Sequence, residues 1–217
     1  MTANPTFKKL APERQAEILS AAIAIFARHG YYEANVDSIC KEANISNGSL
    51  YRYFTNKENL YICACNYSLE VMFSDVYELD PPEDKSIYNV IRDMLLSTQK
   101  FYDQNPDFFL FYSDIWATSM NQFVPKVSMQ VEEKIDAFWA GLVKKSLAKG
   151  EIDPIFTPEY AAYLIDSQTL LFFFSLTSAY HKKRFDVFLR NEQGHLSTPE
   201  LIEKMVENLR LSLSPRT

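Results

Sequence analysis

The chain has 217 residues, of which 47% are hydrophobic, and a formal net charge of −6 at pH 7. The acidic average argues against a protein that attracts nucleic acid over its whole surface, and three cysteines are too few for a disulfide framework. With five glycines and with apolar residues mostly at helical spacing, the sequence predicts an all-α protein that buries a core.

The first two predicted helices are a long one and a short one. Pro12 suits the first turn of a helix, and Gly30 accepts the left-handed conformation that commonly ends one. Asn35 is a good N-cap for a short second helix over about 36–43. Asn44, which also tolerates the left-handed region, then turns the chain toward the next helix.

A third helix is predicted over about 46–53, with Ser46 as its cap, and Asn56 caps a fourth helix that begins at Lys57. Two short helices joined by a tight turn and flanked by longer ones are typical of a helix-turn-helix DNA-binding unit.

The distribution of charge along the chain is consistent with DNA binding by this first part. Residues 1–60 carry seven Lys and Arg against six Asp and Glu (+1), and the remaining 157 residues carry 15 against 22 (−7). The first part of the chain can therefore approach a polyanion.

The third predicted helix has little to bury and much to expose. With Leu50 set inward and about 100° of rotation per residue, Phe54 also points inward. The opposite side consists of Gly48, Ser49, Tyr51 and Arg52. Gly48 removes a side chain where another backbone must approach closely, Arg52 can donate two hydrogen bonds to a guanine, and Tyr51 can pack on a thymine methyl group. Spacing alone leaves open the alternative that these are ordinary solvated surface positions.

Residues 11–60 resemble the N-terminal domain of the TetR family of transcriptional regulators, and the match runs without a break from Ile18 to Tyr61. The family pattern is Ser-x-Gly-x-Leu-Tyr-x-Tyr-Phe followed by Lys-Glu-x-Leu. Here it is carried by Ser46, Gly48, Leu50, Tyr51, Tyr53, Phe54, Lys57, Glu58 and Leu60. The resemblance implies that the third helix enters the major groove of DNA and that Tyr53 and Lys57 bind phosphates.

Three positions depart from the family pattern: Asn35 stands where threonine is usual, Cys40 where alanine is usual, and Asn44 where glycine is usual. Each replacement keeps the property that its position needs, which is a cap, a small side chain and a left-handed turn. The predicted DNA-binding residues are Asn35, Ser46, Asn47, Gly48, Ser49, Tyr51, Arg52, Tyr53 and Lys57. We expect two domains: a helix-turn-helix DNA-binding domain at residues 1–60 and a larger helical domain at 61–217, to which the resemblance assigns effector binding and dimerisation.

Beyond about residue 75 the chain resembles the family only in being helical. A polar, proline-marked break is predicted at 77–86. Five more helices are predicted at about 86–103, 105–121, 125–149, 158–180 and from 198 onward, which makes about nine in all. The fourth of these five can extend through residues 181–190.

The last two predicted helices carry apolar stripes that are wide for a surface helix. One stripe includes Leu164, Leu171 and Ser175, and the other includes Leu201, Met205 and Leu209. The resemblance implies that these helices pair with those of a second subunit, so that a homodimer reads two half-sites of a near-palindromic operator. The alternative is that the stripes close the chain's own core.

The middle of the chain is rich in aromatic residues, and the resemblance implies that a cavity among its helices binds a small-molecule effector. Binding would favour a spacing of the recognition helices that no longer fits the operator; the alternative is a well-filled aromatic core. The candidate ligand-binding residues are Phe101, Phe109, Tyr112, Trp116, Phe123, Phe138, Trp139 and Asp166. Asp114 and Asp166 interrupt apolar stretches. A carboxylate among aromatic rings attracts a cationic, apolar ligand unless it is exposed or paired with a lysine.

The sequence carries no nucleophile elbow, Gly-rich phosphate loop, dinucleotide fingerprint or metal-binding spacing of His and Cys. We therefore expect no catalytic residue, no metal and no cofactor. Residues 161–180 are long enough to span a membrane, but Asp166 and Gln168 interrupt them, which favours a buried helix. No signal peptide is recognised, so a cytoplasmic protein is expected.

Together these features predict a homodimeric DNA-binding transcriptional regulator, in the first place a repressor that a small effector releases from its operator. Two alternatives stay open at this point. One is a DNA-binding or bridging protein without an effector, and the other is a transcriptional activator, since the position of the operator relative to a promoter is not written in the protein sequence.

Overall fold

The described part of the chain is helical throughout. The computed structural model describes residues 3–115, 117–127, 129–189 and 196–216, and these form eleven α-helices, two 3₁₀ turns and no β-strand. The α-helices are α1 Pro5–Lys8, α2 Pro12–Glu33, α3 Val36–Glu42, α4 Asn47–Phe54, α5 Lys57–Val76, α6 Ile87–Gln104, α7 Pro106–Ile115, α8 Gln130–Ala148, α9 Pro158–Thr177, α10 Ala179–Phe188 and α11 Thr198–Leu213. The 3₁₀ turns are Thr118–Met120 and Val124–Lys126. The all-α prediction is confirmed.

The chain divides into two compact units. The first consists of Met1–Met72 and Asn105–Ser128, and the second of Phe73–Gln104 and Met129–Thr217. The first unit holds α1 to α4, most of α5, α7 and both 3₁₀ turns, whereas α6 and α8 to α11 belong to the second.

The turn chemistry of the first unit is as predicted. Asn35 caps α3 by accepting a hydrogen bond from the Asp37 amide at 2.8 Å, and Asn44 adopts the left-handed region with φ of 50°. Gly30 also has a positive φ of 68°, but there it kinks α2, which resumes and ends at Glu33. The predicted end of the first helix at Gly30 is therefore wrong by one short turn.

The core of the first unit is built from aromatic rings that α2, α5 and α7 bring together. Phe26 on α2 packs edge-on against Tyr61 on α5, with ring centroids 5.1 Å apart, and stacks on Phe111 of α7 at 5.9 Å. These three rings are almost completely buried. Their contact attaches α7 to the helix-turn-helix residues.

In the second unit, α8 packs against α9, and α6 packs against α11. Arg92 on α6 makes a bidentate ion pair with Glu203 on α11, with both N–O distances at 2.7 Å. The hydroxyl of Tyr88 donates to the Glu151 carbonyl at 3.0 Å and so accepts from the Ser214 hydroxyl, also at 3.0 Å. The ion pair joins α6 to the first half of α11, and the Tyr88 contacts join it to the end of α11 and to the residues after α8.

Some predicted helix boundaries differ from those observed. The helix after residue 157 ends at Thr177 because Ser178 has an extended backbone (φ −112°, ψ 115°), and the Ser178 hydroxyl caps a separate helix, α10. The extension through residues 181–190 is therefore wrong. Two 3₁₀ turns replace the helix ends expected near 121 and 125.

None of the helices in the described residues is both long enough and apolar enough to cross a membrane. The interrupted apolar stretch at 161–180 lies mainly in α9, which buries Ala161, Ile165 and Phe172 within the second unit.

Candidate functional site

Helix α4 buries one face completely and exposes the other. Leu50 and Phe54 each have 0% of their surface exposed, as their position on the helix predicts. The opposite side is formed by the exposed residues Gly48, Tyr51 and Arg52 and by half-buried Ser49. Because burial of Leu50 and Phe54 determines how the helix rotates, the same hydrophobic contacts determine which side chains face outward.

Three predicted site residues hold the ends of the short helices in place. Ser46 caps α4 by accepting a hydrogen bond from the Ser49 amide at 3.1 Å. The Asn47 side-chain amide donates to the Asp37 carboxylate at 2.5 Å, which joins the start of α4 to the start of α3. Asn35 caps α3. Ser46 and Asn35 therefore satisfy backbone amides and Asn47 a carboxylate, while all three remain exposed on the first unit.

A residue that the sequence reasoning did not identify holds the turn between α3 and α4. Arg14, on α2, donates from Nη2 to the carbonyl oxygens of Ala43 and Asn44, at 2.9 and 3.0 Å. Carbonyl groups at a helix end have no partner within the helix, so a guanidinium there satisfies two of them at once. Nothing in the local sequence marks Arg14 for this role, because the contact joins residues about 30 positions apart.

The short helix α1 supports the far end of α4 and also escaped prediction. Phe7 is 3% exposed, and its ring centroid lies 4.6 Å from that of Phe54 and 5.8 Å from that of Tyr53. Asn4 donates from its backbone amide to the Tyr53 carbonyl at 2.8 Å and from its side chain to the Arg52 carbonyl at 2.9 Å. Helix α4 is thus held at both ends, by Asn4 and Phe7 at one and by Ser46 at the other.

The two predicted phosphate-binding residues are more enclosed than the outer face of α4. Tyr53 is 8% exposed because its ring packs against the neighbouring rings of α1 and α4, and the Arg52 guanidinium carbon lies 5.6 Å from its centroid. Lys57 donates to the Tyr32 carbonyl at 3.1 Å, and its ammonium lies 4.9 Å from the Tyr31 ring centroid. This partial burial lowers the pKa of Lys57.

Tyr32 connects the region of Lys57 to the segment that follows α7. The Tyr32 hydroxyl donates to the Ser119 carbonyl at 3.2 Å and accepts from the Gln122 amide at 2.8 Å. A second link runs from Lys126 to Glu58 on α5, with an N–O distance of 2.6 Å. These contacts connect the end of α2 and the start of α5 to residues 119–126, which also belong to the first unit although they are about 70–90 positions away in sequence.

The candidate ligand-binding residues are divided between the two units. Phe109, Tyr112 and Phe123 belong to the first unit, and Phe101, Phe138, Trp139 and Asp166 belong to the second. Trp116 lies outside the described residues. Phe123 is 2% exposed and packs on Tyr31 and Tyr61, with centroid distances of 4.7 and 5.0 Å, as part of the core of the first unit.

In the second unit, Tyr77 brings three of the remaining candidates together. Its ring centroid lies 5.3 Å from that of Phe138 and 6.2 Å from that of Trp139. Burial, and then the charges of the nearby carboxylates Asp166 and Glu132, raise the pKa of Tyr77. Burial is also the main reason that the pKa of Asp166 is raised to about 6, and the neighbouring acids Glu132 and Asp136 raise it further.

This carboxylate makes stability depend on pH. Between about pH 4 and pH 6 the folded chain keeps the Asp166 proton that the unfolded chain has lost, so stability falls as pH rises through this window. Asp166→Asn should therefore stabilise the protein at pH 7.5 by about 1–2 kcal/mol, since a shift of roughly two pKa units corresponds to about 3 kcal/mol before solvent screening. Tm measured at pH 7.5 and pH 4 checks this, with exposed Asp80→Asn as the control. An equal effect of Asp166→Asn at both pH values would contradict the assignment.

The apolar stripe on the last helix is buried within the chain itself. Leu201, Met205 and Leu209 are at most 9% exposed, and α11 packs them toward α6 and α9. On α9, in contrast, Tyr160, Tyr163 and Leu171 are 54%, 66% and 41% exposed, and their spacing places them on one face. The α11 stripe therefore closes the chain's own core, whereas α9 presents an accessible apolar face.

Comparison with known proteins gives a consistent result for the first unit. Residues 18–62 match the family described as bacterial regulatory proteins, tetR family. Among curated proteins, the chain is 35% identical over 77 residues to the HTH-type transcriptional regulator HbdR of Aromatoleum sp., an alignment that covers 36% of this chain and 31% of HbdR. The matched part of the chain thus spans about a third of that regulator's length.

The matches that cover more of the chain have lower sequence identity. The HTH-type transcriptional regulator UidR of Escherichia coli is 28% identical over 144 residues, which cover 64% of this chain and 69% of UidR. Among solved structures, a putative TetR-family transcriptional regulator from Rhodococcus sp. superposes with a TM-score of 0.69 over 94% of this chain and 100% of the other, at 18% identity. This likeness shows that the fold is shared.

Proposed function

We propose, from the match of residues 18–62 to the bacterial regulatory proteins of the tetR family, that the chain is a DNA-binding transcriptional regulator of that family. The observation that carries the proposal is the outer face of α4, where Gly48, Tyr51 and Arg52 are exposed on a helix whose other side is completely buried. A helix of this kind fits the major groove, with Arg52 reading a base edge.

The remaining DNA contacts that we propose come from residues around α4. Ser49 and Asn47 extend the outer face, Tyr53 offers its hydroxyl to a phosphate, and Lys57 lies at the start of α5, where the helix N-terminus also favours an anion. Asn35 and Ser46 lie at the starts of α3 and α4 and add polar groups to the same surface.

Gly48 provides a test that separates DNA contact from helix stability. It lies within α4, and a Cβ added there would meet the Ser46 hydroxyl at 3.9 Å, an ordinary contact, so nothing inside the protein requires glycine. Gly48→Ala should stabilise the fold by about 0.5–1 kcal/mol and yet weaken operator binding. Gly141→Ala, in α8 with open space around it, is the matched control and should leave DNA affinity unchanged. Urea unfolding and anisotropy titrations measure the two effects; unchanged operator affinity in Gly48→Ala would contradict the groove-facing orientation.

Lys57→Ala should weaken binding to specific and random DNA alike, because a phosphate contact does not depend on base sequence. The slope of log affinity against log salt should fall in magnitude by about one for each bound subunit, or about two for the proposed dimer. Titrations at several salt concentrations check this, with Lys100→Ala in the second unit as a control for the same change of charge. A loss confined to the specific sequence would mean that Lys57 reads a base instead.

We further propose that residues 1–60 bind DNA and that residues 61–217 form the effector-binding and dimerisation domain of a cytoplasmic homodimer. The interface that we propose uses the last two long helices, α9 and α11, and the exposed apolar residues of α9 suit a twofold contact. In such a dimer two copies of α4 read half-sites about one DNA turn, or 34–36 Å, apart. A repressor results if an effector bound by the second domain favours a spacing that the operator cannot accept.

Selection from a library of random duplex DNA tests the proposal. The purified full chain should enrich one near-palindromic sequence with half-sites one helical turn apart, and analytical ultracentrifugation should show two subunits on each DNA. The failure to enrich any sequence over the starting library would overturn the regulator assignment.

A further inference from the structure

The second unit contains a cavity of about 350 Å³ whose wall combines aromatic rings with apolar side chains. Tyr77, which follows α5, and Phe138, on α8, supply the rings, and their centroids lie 5.3 Å apart. Val90 and Met94, both buried on α6, supply the apolar surface. A volume of this size is within the range of small-molecule sites.

Three carboxylates line the same cavity: Asp75 at the end of α5, Glu78 in the following loop, and Asp93 on α6. Lys85 partly neutralises them, since its ammonium lies 2.6 Å from Glu78 and 2.8 Å from Asp93. Three negative charges against one positive charge leave the cavity with a net charge of −2. Asp75 lines the cavity and is not one of the two carboxylates that pair with Lys85.

A fourth carboxylate acts on the aromatic wall from α9. Burial is the main reason that the pKa of Tyr77 is raised, and the nearby charge of Asp166 raises it further, so the same negative charge acts on a residue that lines the cavity. The faces of aromatic rings themselves attract cations. Ring faces and carboxylates thus favour the same sign of ligand charge.

We propose that this cavity is the effector site and that it takes a small organic cation, such as an amine with an aromatic or aliphatic body. The body packs against Tyr77 and Phe138, and the ammonium group lies toward Asp75 and Asp93. The term effector rests on the proposed function, whereas the assignment of a cationic ligand rests on the cavity lining alone. A carboxylate or acyl-phosphate ligand of the same size would meet repulsion in this cavity.

Binding can be measured on the full chain without DNA by titration calorimetry with three matched probes. These are 1-naphthylmethylamine, which is cationic at pH 7, the neutral 1-naphthalenemethanol and the anionic 1-naphthoate. The amine should bind at least tenfold tighter than the alcohol, the acid should bind more weakly than either, and the preference for the amine should shrink as salt is added because the carboxylates are exposed. Equal affinities for amine and alcohol, or tighter binding of the acid, would overturn the proposal.

Substitutions of residues that line the cavity test whether the ligand binds there. Asp75→Asn should lower the affinity for the amine severalfold and leave the alcohol unaffected, while Phe138→Leu should weaken both. Lys85→Met, which removes the competing ammonium, should strengthen amine binding. Exposed Asp80→Asn is the control and should change neither. Unchanged amine affinity in both Asp75→Asn and Phe138→Leu would show that the amine binds elsewhere and would refute the site.

The role as effector is tested separately by adding the amine to the complex of the protein with its selected DNA. Release of the DNA, lost in Asp75→Asn, supports the full proposal. Amine binding that leaves DNA affinity unchanged overturns the effector role. If the chain binds the amine but selects no DNA, the regulator proposal fails while the cation site stands; if it selects DNA but does not bind the amine, the cation site fails alone.

Discussion

Replacing Arg52 by alanine is expected to weaken binding to the operator by about 1–3 kcal/mol per half-site, or roughly 5- to 150-fold for each, and to relax the preference for one base pair in each half-site. Arg52 is exposed on the outer face of α4, and its guanidinium packs 5.6 Å from the ring centroid of Tyr53, which is itself held in place by α1. A side chain supported in this way loses less conformational entropy when it makes a bidentate contact.

The matched control for this prediction is Arg28→Ala. Arg28 is also exposed in the first unit, and its replacement by alanine removes the same charge. It lies on α2, however, where it pairs with Asp107 at 3.6 Å. Competition titrations with operators that carry single base-pair changes measure both affinity and preference. If Arg52→Ala and Arg28→Ala lower affinity equally, with base preference intact, Arg52 contributes charge alone and our orientation of α4 is wrong.

Phe7→Ala is expected to destabilise the fold by about 3–5 kcal/mol, the largest effect of a single substitution that we predict. The ring is 3% exposed and packs between the rings of Tyr53 and Phe54 at the end of α4. Its removal leaves a cavity under α4, so operator affinity should fall together with stability.

Urea unfolding of the full chain measures the first part of this prediction, and DNA titration at low temperature, where the variant is still folded, measures the second. Leu79→Ala is the control, because Leu79 is 61% exposed and should change stability by less than about 0.5 kcal/mol. A loss below about 1 kcal/mol for Phe7→Ala would show that α1 does not support α4.

Local chemistry explains why much of the first unit was predictable from the sequence. Ser46 and Asn35 cap helices whose starts they mark, Asn44 turns with a positive φ, and Leu50 is buried because the helical period places it inward. Each of these features depends on residues within one or two helical turns. The two supports of α4 do not: α1 is too short to show a period, and Arg14 reaches a turn about 30 residues away.

The aromatic residues in the middle of the chain show what could not be predicted from the sequence. Composition predicted a cluster of rings, but it could not tell which rings share a core. Phe123 packs with Tyr31 and Tyr61 in the first unit, whereas Phe138 packs with Tyr77 in the second. That division depends on tertiary contacts. Tyr77 itself was read as part of a polar break, although its ring lines the cavity in the second unit.

The most direct test of the account is fluorescence anisotropy of the purified chain with DNA from upstream of its own gene and with random DNA of the same length, over salt concentrations from about 50 to 200 mM. We predict tight binding to the upstream DNA that persists where binding to random DNA has been lost, and a stoichiometry of two chains per site. Equal affinity for both DNAs at every salt concentration would contradict a sequence-reading α4.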